Sequence, residues 1–438
     1  MNKLIRPLVL SSLFLLGSTP TAFAVDFTEI ARFDISATST DLENPPPDAD
    51  DVGVNTVAMA WNGTSLYLAG YNNSASFGET SIIEVTNPTA TGLVTPTYSA
   101  KFSTDTFTPG GRGFTGLALS PDGSQLAASF DNGLANTPLG IQVFDTTNNT
   151  QSWSKAVRGG SGVDFDPGFP GGNPAAGSGV AYIESFGSGR RALQDAATGA
   201  DIWTPSDGMI WVPNAGVSNN FARDIAFDPD TGDMFIRSRN DVFFAERNGD
   251  NSTNQGNNSL LLDLTDGPFV NYQHIAFLDT DNDGDLLILN DRSVGGGMQA
   301  FSDVTKVIDT AGTEQTATFT FLPNADSSPF LPEDGAGWYD YDFDSVSQTL
   351  ALLDISNRNV HIFSLGEAVA DADVDDDGDV DGADFLAIQR TNASLIPQWQ
   401  SDYGTVPVVA AAAGVPEPST FGLVICGLLS CFPARRTR

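Results

Sequence analysis

A short unit recurs along this chain: two alternating apolar residues, a turn holding Gly, Asp or Ser, and a second apolar strand. It reads as Val57-Ala58-Met59, Asn62-Gly63 and Leu66-Tyr67-Leu68, then as Leu117-Ala118-Leu119, Pro121-Asp122-Gly123 and Leu126. A third copy is Ile225-Ala226-Phe227, Asp230-Thr231-Gly232 and Met234-Phe235-Ile236. Ile275-Ala276-Phe277 before Leu286–Leu289, and Tyr341-Asp342-Phe343 before Leu350–Leu353, continue the series, with Val180-Ala181-Tyr182 a weaker sixth. A hairpin of this size cannot bury its apolar faces alone, so the copies must stack into a repeat architecture.

The units recur on average about every 57 residues, room for a four-stranded antiparallel sheet with its loops. That is the unit of a β-propeller, and the pattern resembles six- or seven-bladed propellers. The expectation is an all-β body over residues 25–365, with six blades favoured and five to seven possible. Outer-strand candidates are Ser81–Val85, Ile141–Phe144, Val242–Ala245 and Val360–Phe363. The strand-like Thr28–Ile35 at the start is placed to complete the last blade and close the ring. The Ser120–Gly123 turn, Ser-Pro-Asp-Gly, is similar to blade turns of TolB-like and WD40-like repeats. A richness in glycine (44) and proline (25) suits a turn-dense β fold over a helical bundle. A β-sandwich, or a pair of β-domains with hairpins at similar spacing, is the alternative.

The two ends carry other signals. Lys3 and Arg6, the apolar Leu8–Leu16 and Ala22-Phe23-Ala24 form the three regions of an export signal over residues 1–24, with cleavage expected after Ala24. Both cysteines, Cys426 and Cys431, stand in the last apolar stretch, so the exported body has neither a disulfide nor a cysteine nucleophile. At the far end, Val415-Pro416-Glu417-Pro418-Ser419-Thr420 precedes the apolar Phe421–Phe432 and then Arg435, Arg436 and Arg438. An extended proline segment, a short hydrophobic helix and a cationic stop make a transient membrane contact. In this order they resemble the PEP-CTERM sorting signal, also catalogued as an ice-binding protein C-terminal domain, over residues 415–438. The resemblance implies recognition of Pro416, Glu417 and Pro418 by an exosortase-type processing enzyme. It also implies delivery to the cell envelope, cell surface or extracellular matrix.

Between body and tail, Asp371–Asp384 holds eight aspartates in fourteen residues. Asp373, Asp375 and Asp377 occupy positions 1, 3 and 5 of a DxDxDG loop, Gly378 the sharp turn, and Asp384 position 12. Alternate carboxylates converging on one point suit Ca2+, with Asp379 offering its carbonyl and Asp381 a carboxylate or a bridged water. Ala383–Arg390 has the composition of an exiting helix, and no helix pattern precedes the loop. A loop followed by one helix resembles a dockerin repeat, so residues 366–404 are expected to form a small helical calcium module. Residues 405–414 then link it to the tail. A two-repeat dockerin binds cohesin, whereas the single loop here reads as a calcium-stiffened spacer. Inside the body, Asp279, Asp281 and Asp283 with Gly284 and Asp285 form a second, weaker DxDxDG string, which is also a simple hairpin turn.

Signals for catalysis are sparse. His274 and His361 are the only imidazoles, which excludes His-cluster metal motifs, and each lies in an apolar strand and reads as structural. No GxSxG or Walker string occurs, and Gly111, Gly113 and Gly116 satisfy GxGxxG but lead into a strand. Asp164, Asp166 and Glu184 are the first candidates for paired carboxylates, with no catalytic residue assigned. Trp61, Trp153, Trp203, Trp211 and Trp338 can stack on sugars or fill the core. The balance of 20 Lys+Arg against 55 Asp+Glu, a formal charge of −35, argues against nucleic acid. Two functions follow. One is a non-catalytic surface or matrix protein that binds Ca2+ and a polysaccharide or surface protein through propeller loops. The other is a secreted hydrolase or lactonase-like enzyme using acidic channel residues and a divalent metal.

Overall fold

A computed structural model describes residues 24–365 except 36–54, 72–80, 104–112, 132–139, 158–161, 169–178, 185–189, 204–221, 239–240, 247–257, 265–273, 281–283, 291–304, 323–338 and 356–357, together with Phe385. The first strand, β1 (Ala24–Asp34), stands apart from the blades that follow it in sequence. Blade 1 runs outward through β2 (Asn55–Trp61), β3 (Leu66–Tyr71), β4 (Ser81–Val85) and, past the short β5 (Gly92–Val94), β6 (Tyr98–Ser103). Blade 2 is β7 (Gly113–Leu119), β8 (Gln125–Asp131), β9 (Ile141–Asp145) and β10 (Thr150–Lys155). Blade 3 is β11 (Val163–Asp166), β12 (Gly179–Glu184), β13 (Arg190–Asp195) and β14 (Asp201–Trp203). Blade 4 is β15 (Ala222–Phe227), β16 (Met234–Ser238), β17 (Asp241–Ala245) and β18 (Asn258–Asp263). Blade 5 is β19 (Ile275–Leu278), β20 (Leu286–Asn290) and β21 (Thr305–Asp309), and its next strand, β22 (Thr316–Thr320), leaves to pair with β1. Blade 6 is β23 (Tyr339–Asp344), β24 (Thr349–Asp354), β25 (Asn359–Leu365) and, outermost, β1.

The inner strands β2, β7, β11, β15, β19 and β23 each touch the next, and β23 touches β2, so six antiparallel blades close into a propeller. The seam is the expected one. β1 pairs antiparallel with β25 from Phe27↔Leu365 to Asp34↔Asn359, shifting register between Glu29 and Ala31. Its outer edge is covered in two pieces, by β22 along Ala24–Thr28 and by β5 along Ala31–Phe33.

Packing follows from strand alternation. Along β2, Val57, Met59 and Trp61 point into a core shared with blade 6, while Ala58 and Ala60 point into one shared with blade 2. The same division repeats around the ring, giving, among the described residues, six cores that each lie between two blades. Each fully buried Leu, Ile or Phe contributes about 1.5–3 kcal/mol by leaving water, so a blade is stable only between its neighbours.

Two sequence expectations are corrected. Val180-Ala181-Tyr182 is the second strand of blade 3, and the inner strand is the short β11, which carries two acids among four residues. The outer-strand candidates are the third strands, whose buried faces make them apolar. Apart from β1, the true outer strands are more polar, as in the exposed alternation of β10, and carry no apolar run. Among the described residues no helix is long and apolar enough to cross a membrane.

Candidate functional site

The six inner strands surround a central cavity of about 280 Å³, lined by Gly116, Asp164, Asp224, His274, Asp340 and Asp342 among others. Its acids are held by backbone. In each of Asp164, Asp224, Asp340 and Asp342, Oδ1 accepts the N–H of the following residue, at 2.7, 3.0, 3.0 and 2.9 Å. The second oxygen reaches the next blade: Asp224 Oδ2 accepts Ile275 N–H at 3.1 Å, Asp340 Oδ2 accepts Met59 N–H at 2.8 Å, and Asp342 Oδ2 accepts Trp61 N–H at 2.7 Å. Asp164 likewise accepts the N–H of Phe227. These carboxylates therefore strap blade 3 to 4, 4 to 5 and 6 to 1.

His274 enters just before β19, where its N–H donates to Asn290 Oδ1 at 3.3 Å. Its Nδ1 lies 3.2 Å from Asp224 Oδ2 and 3.1 Å from Asp340 Oδ1, so one imidazole joins blades 4, 5 and 6. Its Nε2 is buried and, among the described residues, has no hydrogen-bond partner. An unpaired buried donor or acceptor costs about 1–3 kcal/mol. Behind the cluster, the fully buried Arg237 gives its Nη2 to Asn290 O at 3.0 Å and its Nη1 to Ser238 O at 2.6 Å.

Burial lowers the His274 imidazole, but the charge of Asp340 and the hydrogen bond and charge of Asp224 outweigh it, pushing it up to about 9 without an ion. Burial pushes the Asp340 carboxyl up to about 6 against the pull of His274. Burial also pushes Asp164 up to about 8 despite its bond from Phe165, with the charges of Asp224 and Asp166 adding. Asp342 is raised well above the usual carboxylate range, again by burial first.

Counting back three residues from Trp61, Leu119, Phe165, Phe227, Phe277 and Phe343 gives Ala58, Gly116, Gly162, Asp224, His274 and Asp340. One position of the repeat thus carries small residues in three successive blades and an acid, an imidazole and an acid in the other three. Gly162 shows why: a Cβ there would lie 2.1 Å from Asp224 Oδ1. Asp224, His274 and Asp340 are also a group whose ligand atoms are close enough to hold one metal ion, and they are the one such group of His, Cys, Asp or Glu among the described residues.

No family model and no curated protein matches the chain. Among solved structures it is similar to an auxiliary nutrient binding protein from Bacteroides thetaiotaomicron, at 10% identity and TM-score 0.43, covering 70% of this chain and 68% of that one. A second auxiliary nutrient binding protein, from Bacteroides ovatus, is 13% identical at TM-score 0.44, covering 70% and 69%. Hydrazine synthase from Kuenenia stuttgartiensis is 12% identical at TM-score 0.41, covering 76% and 80%. The propeller assignment rests on the strand pairing and the closed ring of inner strands.

The sequence-read residues divide. Asp164 lines the cavity, whereas Asp166 caps a turn, its Oδ1 accepting Gly168 N–H at 2.8 Å. Glu184 ends β12, outside the inner ring. Trp61 is buried in the core between blades 6 and 1 and also lines the cavity, with Nε1 donating to Thr349 Oγ1 at 3.0 Å, and Trp153 gives its Nε1 to Ala196 O at 2.8 Å. Asp279 lines the cavity, and Asp281 and Asp283 lie outside the described residues. So do Trp211, Trp338, the loop Asp373–Asp384 and the Pro416–Pro418 motif. His361 is buried at the seam against Glu29. Asp224, Asp340 and His274 were missed as a set. Their shared repeat position was the available signal.

Proposed function

We propose that this is an exported, non-catalytic binding protein of the cell surface or extracellular matrix, with the propeller channel as its binding site. The observation that carries the reading is the convergence of Asp224, His274 and Asp340 in a cavity that every blade lines, each acid pinned by backbone N–H groups from two blades. Groups fixed in this way hold a bound ion or a cationic group without reorganising, which favours recognition. The ligand class is a polysaccharide or surface protein engaged through a divalent cation. The Asp373–Asp384 loop supports a separate Ca2+-stiffened spacer, and the Pro416–Pro418 tail supports sorting by an exosortase-type enzyme. These two elements, with the signal over residues 1–24, are the basis for export.

A second reading has its own observation. Asp164 and Asp340, raised to about 8 and about 6 in one cavity, are carboxyls of the kind that hydrolases use as acids, so a secreted hydrolase remains the alternative. One experiment separates the two. The full-length chain is incubated with extracellular polysaccharide, with Ca2+ or with chelator, and both co-sedimentation and polymer length are followed. Cation-dependent sedimentation at constant length is expected, whereas shortened polymer establishes the hydrolase.

A further inference from the structure

Asp224, His274 and Asp340 come from three successive blades and offer one imidazole nitrogen and two carboxylate oxygens. Separations of 3.2 and 3.1 Å from Nδ1 to the two oxygens are those of neighbouring ligands about an ion with bonds of about 2.0–2.2 Å. The two carboxylates have the outer support of metal ligands, whereas among the described residues the second ring nitrogen of His274 has none. Both carboxylates are oriented by N–H groups of Ile225, Ile275, Tyr341 and Met59, and the His274 backbone is fixed by Asn290. Calcium and magnesium take six or more oxygens, whereas an imidazole in a mixed set selects first-row transition ions and zinc.

Two further observations point to a ligand. His274 lines the cavity, and among the described residues its buried Nε2, the ring nitrogen not engaged with the carboxylates, has no partner, an open position for a polar group of the bound molecule. At the same position of the repeat the other three blades carry only Ala58, Gly116 and Gly162, none of which offers a side-chain ligand, and the cluster faces a cavity that Gly116 also lines. We propose that these three residues hold a divalent ion of the zinc, cobalt or manganese kind, with its remaining coordination positions open to the cavity for an oxygen donor of the bound molecule. The site shares no residue with the sequence-read aspartate strings Asp279–Asp283 and Asp373–Asp384. The inference deepens the reading of the channel as the binding site and rests on it for its biological sense.

The test uses the untagged full-length chain, stripped with chelator and returned to a buffer free of zinc and transition metals but containing excess Ca2+ to saturate oxygen-only sites. Co2+ is the probe, read by its visible absorption and by calorimetry, with Zn2+ as competitor. One Co2+ per chain, displaced by Zn2+, is expected, and His274→Gln and Asp340→Asn should each weaken it by at least about tenfold. Absence of saturable Co2+ binding overturns the proposal, as does binding unchanged in both variants. Should the variants fail to fold, the wild type decides. With two histidines in the chain, Zn2+ must move the imidazole 15N signals of one and spare the other, and if neither moves the site is an ion pair alone. Polysaccharide binding that survives His274→Gln removes the metal from recognition but leaves the binding protein standing. Co2+ binding without polysaccharide binding keeps the metal site and refutes the ligand class.

Discussion

Glu29 is wholly buried, yet it is surrounded by cations and donors at the ring seam. Arg32 grips it through Nε at 2.8 Å and Nη2 at 2.5 Å, His361 Nδ1 lies 2.6 Å from Oε1, and Leu322 N–H donates to Oε2 at 2.6 Å. Burial raises its pKa, but the hydrogen bonds and charges of His361 and Arg32 outweigh this and hold it below the ordinary 4.5. A depressed acid stabilises the fold fully above its unfolded value and loses that contribution as pH falls through the folded one. Stability of the wild type should therefore drop below pH 4.5, and Glu29→Gln should flatten that limb of a urea-midpoint profile. Glu29→Ala, which leaves Arg32 buried without its anion, should cost about 3–5 kcal/mol in equilibrium unfolding. Gly162→Ala should cost about 1–3 kcal/mol by overpacking and should weaken Co2+ binding by displacing Asp224, two readouts on one variant. From the sequence, His274 and His361 looked alike, each on an apolar strand. What separates them is the partner, carboxylates of the two flanking blades for His274 and Glu29 on the adjacent strand of the same blade for His361. Local pattern carries no such information.

At the level of strands, the inner three positions of a blade were legible because both of their faces are covered by neighbouring blades, which writes apolar runs such as Leu286–Leu289 and Leu350–Leu353, both second strands, into the sequence. Outer strands were not, because one edge and much of each face meet water, as in β10, whose six residues are all exposed or partly so. β11 escaped notice for a different reason: its four residues alternate Val163 and Phe165 with two aspartates that serve the cavity and a turn. β1 is the exception among outer strands, since Phe27 and Phe33 are fully buried in the cores that flank blade 6. Phe33→Ala should therefore destabilise by about 3–5 kcal/mol in thermal or chemical unfolding. Leu93→Ser, at a half-exposed position of β5 on the outer edge of β1, should stay within about 0.5 kcal/mol. Equal costs would mean that β5 is part of the closure and not merely its cover.

For the whole molecule, a formal charge of −35 sets a repulsive background that compaction must overcome. Raising salt from about 0.01 M to about 0.15 M shortens the screening length from about 30 Å to about 8 Å, so the calorimetric melting temperature should rise across that range. A fall would place the acids in net attractive pairs. Blade number was legible because the period repeats. The six-fold ring also explains why the binding position was not: only half of its copies carry polar groups, so a search for uniform repeats averages Asp224, His274 and Asp340 against Ala58, Gly116 and Gly162. The seam has one more consequence, and it is mechanical. β25 lies between β24 and β1, so traction along the strand at Leu365 must shear two ladders at once, where an edge strand would peel away one bond at a time. A body tethered through that end would bear load at the place where its two termini lock each other.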